Sequence, residues 1–204
     1  MAKRRKVGNL LGLQLLAALV ERPMHPYEAA TVLRERGKDH DTKINWGSLY
    51  TVVQNLERHG FIEAVDTTRD GRRPERTVYR LTPAGRTELE DWLREIIGVP
   101  EAEFPRLRTG LSVVGVLGPD EVISLLGERL RALDEEVAAT TAAMAALDLH
   151  RVFLIEAEYY LAVRRAEAEW VRGFLAELRD GTFPGMAAWQ HFHDTGEMRE
   201  DLLT

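Results

Sequence analysis

The chain has 204 residues, 27 Lys and Arg against 33 Asp and Glu, and a formal net charge of −6. That length allows one larger domain or two small ones with a real core. The absence of cysteine excludes disulfides and thiolate metal sites, and no apolar run reaches the roughly 18 residues of a membrane span. The charge is uneven: residues 1–98 sum to +3 and residues 99–204 to −9. One face of the mildly basic half can bind nucleic acid even though the whole chain is acidic.

The opening stretch, MAKRRKVGNLLGLQLLAALVERP, places Lys3, Arg4, Arg5 and Lys6 before an apolar segment. It lacks a small-residue cleavage site, and Gly12 and Gln14 interrupt its apolar part, so it reads as a basic arm and a core helix rather than a signal peptide. That helix is predicted over 9–21, with Leu10, Leu13, Leu16, Ala17 and Val20 as its apolar stripe. Pro23 stops it. A second helix starts near Pro26, a suitable first helical position, and ends at Gly37; Tyr27, Ala30 and Leu33 are its apolar positions, and Tyr27 reads as a packing residue. A third is predicted after Asn45, a good N-cap. Leu49, Val52, Val53 and Leu56 form its buried stripe, Ser48, Thr51, Gln54, Asn55 and Arg58 face outward, and Gly60 ends it.

The period then switches to two. Residues 61–67 and 76–82 read as strands around the turn signal Asp70-Gly71. Thr82-Pro83 caps a further helix with Leu89, Trp92, Leu93, Ile96 and Ile97. Three helices, a hairpin and a helix in this order predict a winged helix-turn-helix domain over residues 1–98.

That shape points to double-stranded DNA. A helix about 10–12 Å wide fits the major groove. Gln54 and Asn55 can donate to and accept from base edges. Ser48, Tyr50 and Thr51 bring hydroxyls to the helix start, where backbone N–H groups attract phosphate. Arg72 and Arg73, with Arg69 and Arg76, arm the hairpin tip for phosphate or a narrow minor groove, and Lys3, Arg4 and Arg5 form a second basic arm. Each piece also has a plainer reading: an arginine-rich tip can simply be solvated, a basic terminus can serve solubility, and winged helices also act as protein–protein adaptors without DNA.

HPYEAATVL, GSLYTVVQNLERHGFIEA and GRRPERTVYRLTPAGRTEL together resemble the PadR family of bacterial transcriptional regulators. The likeness covers residues 8–97 most strongly. It implies a winged-helix DNA-binding domain, a helical C-terminal dimerisation domain and repression relieved by a small molecule. By position, Ser48, Leu49 and Tyr50 fall on the family's recognition-helix motif, and Tyr79 to Thr82 on the second wing strand and its cap. Pro26 stands where the family usually has glycine, Thr51 where proline is common and Asn55 where a basic residue is frequent; a transferred operator or ligand is therefore not implied.

Residues 99–204 are predicted to be a helical, coiled-coil-like dimerisation domain that could also hold an effector. GVPEAEFP is linker-like, and RLRTGLSVVGVL reads as a short buried helix. After Gly118-Pro119-Asp120, positions 123, 126, 130, 133, 137, 140, 144 and 147 keep a three-four alternation. Past His150, Leu154, Ala157, Leu161, Arg164, Ala168, Val171, Leu175 and Leu178 do the same. Apolar residues left over (Phe153, Tyr160, Trp170, Phe174) predict a homodimer, and a two-fold dimer reads a palindromic operator. Arg164 reads either as an ion-pair member with Glu156, Glu167 or a partner carboxylate, or as an anchor for an unidentified small-molecule effector beside Tyr159, Tyr160 and Trp170, with Trp92 a further candidate. In the tail 181–204, Phe183, Trp189 and Phe192 are expected to dock onto the helices, and His191, His193 and Asp194 are too sparse to predict a metal. With no nucleophile–base pair, phosphate loop or metal spacing, neither an enzyme nor a cofactor is expected; a cytoplasmic, nucleoid-associated regulator is.

Overall fold

A computed structural model of the protein describes residues 5–38, 46–68, 76–101 and 105–197. The chain divides into two compact units, Met1–Ala102 and Glu103–Thr204.

The first unit is built from α1 (Leu10–Glu21), α2 (Pro26–Glu35), α3 (Trp46–Arg58), β1 (Ile62–Thr68), β2 (Arg76–Leu81) and α4 (Pro83–Gly98). Asn9 caps α1, its side chain accepting from the Leu11 N–H. Gly37 and Gly60, both at positive φ, close α2 and α3. In each case the glycine N–H bonds three residues back and the following N–H bonds five back: Gly60 N to Glu57 O at 2.8 Å and Phe61 N to Leu56 O at 2.9 Å for α3. That is the Schellman closure, which needs a residue without Cβ strain.

Leu11, Leu15, Leu16, Leu49 and Leu56 are almost wholly buried and centre the core; each contributes about 2 kcal/mol by leaving water. The stripe expected on α3 is the buried one: Leu49, Val52, Val53 and Leu56. The stripe expected on α1 is so only in part: Leu16 is buried and Leu13 packs against the core. Leu11, Gly12, Leu15, Leu16, Ala18 and Leu19 face inward, while Leu10 is 49% exposed and Ala17 and Val20 are exposed. LLGLQLLAALVE is apolar on every side, so periodicity alone does not select a face. Tyr27, expected to pack, is 56% exposed, because Pro26, Ala29, Ala30 and Leu33 fill the inner face of α2.

β1 and β2 pair antiparallel, Ile62 opposite Leu81 and Glu63 opposite Arg80, with a register shift between Ala64 and Asp66. Glu63 and Arg80 also pair through their side chains at 2.7 Å. Met24, between α1 and α2, adds a third strand of one residue: it exchanges both backbone hydrogen bonds with Tyr79, at 3.0 and 3.1 Å. Thr82 then starts α4. Its Oγ1 accepts from the Gly85 N–H at 3.0 Å and its hydroxyl donates to the Gly60 carbonyl at 2.6 Å.

The second unit holds α5 (Arg106–Leu111), a 3₁₀ turn (Val114–Val116), α6 (Pro119–Ala145), a second turn (Arg151–Phe153), α7 (Ile155–Arg179) and α8 (Met186–Thr195). α6 and α7 pack on each other along their length. Leu126, Leu133, Leu161, Ala168, Val171, Leu175 and Leu178, all on the expected alternation, are buried. The stretch 106–116, expected to be a buried helix, has no buried residue, and Val113 and Val116 are exposed. Trp189 of α8 occupies the core instead, its indole N–H donating to the Leu117 carbonyl at 2.9 Å. Phe183 meets Trp189 edge-on at 6.1 Å, so the tail does dock through aromatics. No helix among the described residues is long and apolar enough to cross a membrane.

Candidate nucleic-acid interface

α3 is amphipathic, and its two faces are cleanly divided. Opposite the buried stripe lie Tyr50, Thr51, Gln54 and Arg58, all exposed, with Ser48 and Asn55 half-buried at its edges. Three- and four-residue spacing puts them on one strip of the helix. Arg58 donates to the Asn55 Oδ1 at 3.1 Å, which orients the amide. Tyr50 does not fold its ring back onto the core; half of its surface meets solvent.

α2 leads to this strip. His25 caps it, Nδ1 accepting from the Tyr27 N–H at 3.1 Å, and Pro26 supplies the first helical position. Tyr27 is therefore presented beside a helix N-terminus. The signal for it is the HPYE string, since a residue just after an N1 proline sits on the first turn and can point outward.

The hairpin stands at the other end of α3. The Tyr79 hydroxyl donates to Glu57 Oε2 at 3.3 Å, tying β2 to the last turn of the helix. Burial pushes the Tyr79 pKa up, and the charge of Glu57 and this hydrogen bond push it in the same direction. The strands run out to Thr68 and Arg76. Arg69, Arg72 and Arg73 at the tip, and Lys3 and Arg4 of the arm, lie outside the described residues.

Arg5 is described, and it differs from the expectation of a free basic arm. Its side chain is 6% exposed and pairs with Glu88 at 2.8 Å and with Glu95. Its guanidinium also lies 5.3 Å from the centre of the Trp92 ring. Two carboxylates on α4, seven residues apart, draw the cation inward, and the indole face supplies a third attraction.

The candidate effector residues do not form one group. Trp92 is buried in the first unit under Arg5. Tyr160 and Arg164 do meet, the guanidinium 5.1 Å from the ring. Arg164 bonds Glu167 at 3.1 Å and lies 3.5 Å from Glu136, Arg129 shares Glu167, and the Tyr160 hydroxyl donates to Glu136. This is a charged seam between α6 and α7. Tyr159 is exposed elsewhere on α7, and Trp170 joins a separate aromatic group, 5.3 Å from Phe174. Among the described residues no three His, Asp or Glu are grouped to hold a metal.

Three helices, the third with an exposed polar strip, and a hairpin braced on the end of that third helix define a winged helix-turn-helix protein. Residues 15–91 match the family described as "Transcriptional regulator PadR-like family". Solved structures share the fold. PadR of Bacillus subtilis in complex with operator DNA is 21% identical, with a TM-score of 0.66 over 83% of this chain and 99% of that one. The same protein in complex with p-coumaric acid gives 16%, 0.68, 84% and 99%. The Vibrio cholerae virulence activator AphA gives 20%, 0.63, 83% and 98%. No curated protein matches the sequence.

Proposed function

We propose that the protein is a sequence-specific, dimeric transcriptional regulator that represses until a small-molecule effector releases it from a palindromic operator. The carrying observation is α3: one face is sealed into the core while the other offers Tyr50, Thr51, Gln54 and Arg58 to solvent. A helix so divided can enter a major groove without unfolding anything. In this reading Gln54 and Asn55 read base edges, Ser48, Tyr50 and Thr51 hold phosphates near the helix start, and Arg72, Arg73, Lys3 and Arg4 grip the flanking backbone. Tyr27 and Arg58 join them. Arg5 is assigned to the fold instead.

The first unit serves as the reading head and the second as the dimerisation and effector unit. Dimerisation is supported by the α6–α7 turn, where Leu147, Leu149, Val152, Phe153, Ile155 and Tyr159 are each at least half exposed. So much apolar surface in one stretch calls for a cover, and a second copy provides it symmetrically. Two heads about 34 Å apart then read successive major grooves. That the B. subtilis protein is seen with operator DNA and with p-coumaric acid supports the same division here.

The test is binding to the promoter of the protein's own gene across a salt series. A saturable complex that outcompetes random duplex and weakens linearly in log salt is expected; a protein with no salt-sensitive preference for any genomic fragment is not this regulator.

A further inference from the structure

α7, α8 and the segment between them border an open cleft within the second unit. Phe174 and Phe183 form its floor, 5.4 Å apart and edge-to-face. On one side Trp189, Phe192 and the exposed valines 113 and 116 line a space of about 480 Å3. On the other, Trp170 and Phe174 continue the aromatic wall around a space of about 570 Å3, with Glu169 and Glu177 at its rim. Volumes of this order suit a drug-sized molecule.

The chemistry of the walls selects the occupant. Aromatic faces carry negative potential and attract a cation held over them. Neither Glu169 nor Glu177 has an ion-pair partner among the described residues. This half of the chain is net −9, which disfavours an anion at long range. A strongly hydrated ion gains nothing from the apolar floor. A bulky organic cation gains from all three features.

We propose that this cleft binds lipophilic organic cations bearing aromatic rings. It deepens the regulatory reading above by naming the class of effector, and rests on that reading only in that respect. Glu169 and Glu177 supply the charge preference, and Trp170, Phe174 and Phe183 supply the contact surface.

The experiment uses two ions of the same shape and opposite charge. The full-length protein is titrated with tetraphenylphosphonium and, separately, with tetraphenylborate, followed by tryptophan fluorescence and calorimetry. The cation is expected to bind once per chain, at least tenfold more tightly than the anion. Glu169→Gln with Glu177→Gln should reduce that preference about tenfold, and Trp170→Ala should weaken the cation about fivefold. Glu121→Gln with Glu128→Gln, which removes the same charge away from the cleft, should leave binding within twofold. Unchanged thermal melting of each variant separates lost binding from lost fold. Equal affinity for the two ions, indifference to the Glu169/Glu177 pair, or no binding because a second copy seals the cleft each overturns the proposal. The titration needs no DNA, so its failure is distinct from failure of the regulatory reading. Cation binding that leaves operator affinity unchanged overturns the effector role.

Discussion

A Cβ on Gly85 would stand 1.9 Å from the carbonyl oxygen of Phe61. The first turn of α4 thus lies directly on the backbone that leaves α3. That same carbonyl accepts from the Thr82 N–H at 3.1 Å, and Thr82 caps the helix. The LTPAG string is a weld between the wing and the final helix of the head.

Gly85→Ala should therefore cost about 3 kcal/mol, since backbone atoms cannot turn aside as a side chain can. Gly98→Ala, where an added Cβ meets nothing within 4 Å, should be neutral within about 0.5 kcal/mol. Urea denaturation of the two variants checks the contrast. Equal stability would remove the weld.

On α3, Gln54→Ala and Asn55→Ala should each weaken operator binding by about 1–3 kcal/mol while leaving random-duplex binding nearly unchanged. Their melting temperatures should match the parent, because neither side chain is in the core. Leu56→Ala should do the reverse, losing about 2–5 kcal/mol of stability through the cavity it leaves. Competition binding and thermal melts together distinguish the two effects.

Arg5→Ala should destabilise the head by about 3 kcal/mol, because Glu88 and Glu95 are left as uncompensated, mostly buried charges. Glu88→Gln with Glu95→Gln should recover part of that loss in the Arg5→Ala background. The salt slope of DNA binding, measured under conditions where the variant is folded, should be unchanged. A slope reduced by about one would mean that Arg5 touches phosphate after all.

Phe153→Asp with Tyr159→Asp should convert a dimer into monomers in sedimentation runs, and operator affinity should fall with it. Each monomer keeps its own α6–α7 packing, so helical content should persist. A double variant that remains dimeric would place the subunit contact elsewhere.

Tyr79 gives a pH prediction. Its phenol is held neutral above the usual tyrosine range by burial first and by Glu57 second. The folded pKa therefore exceeds the unfolded one, so this contribution is complete below about pH 10 and is lost as pH rises towards the folded value. Urea midpoints measured from pH 8 to 11 should show an alkaline decline that Tyr79→Phe lacks.

Where the two faces of a helix differ in chemistry, the chain order and the packing were legible in the sequence. The α3 stripe and the α6–α7 seam are of this kind: Leu49, Val53, Leu126 and Leu175 alternate with polar residues and are buried as their spacing requires. α1 was not legible, because apolar residues surround it. Long-range pairings were hidden as well. Nothing local marks Arg5 as the partner of residues 83 and 90 positions away, or Trp189 as the donor to Leu117. Of the candidate site, the exposed strip of α3 was legible from its polar spacing. The aromatic cleft was not, since three separate segments build it, though the aromatic richness of residues 170–192 was its trace.

The paired hydrogen bonds between Met24 and Tyr79 have a mechanical outcome. They lock the wing's base to the loop between α1 and α2, while Tyr79 also holds the far end of α3 through Glu57. Base, loop and probe are stapled at one residue, so the head behaves as a stamp: it can be lifted or tilted whole, but its printing surface cannot be bent one piece at a time.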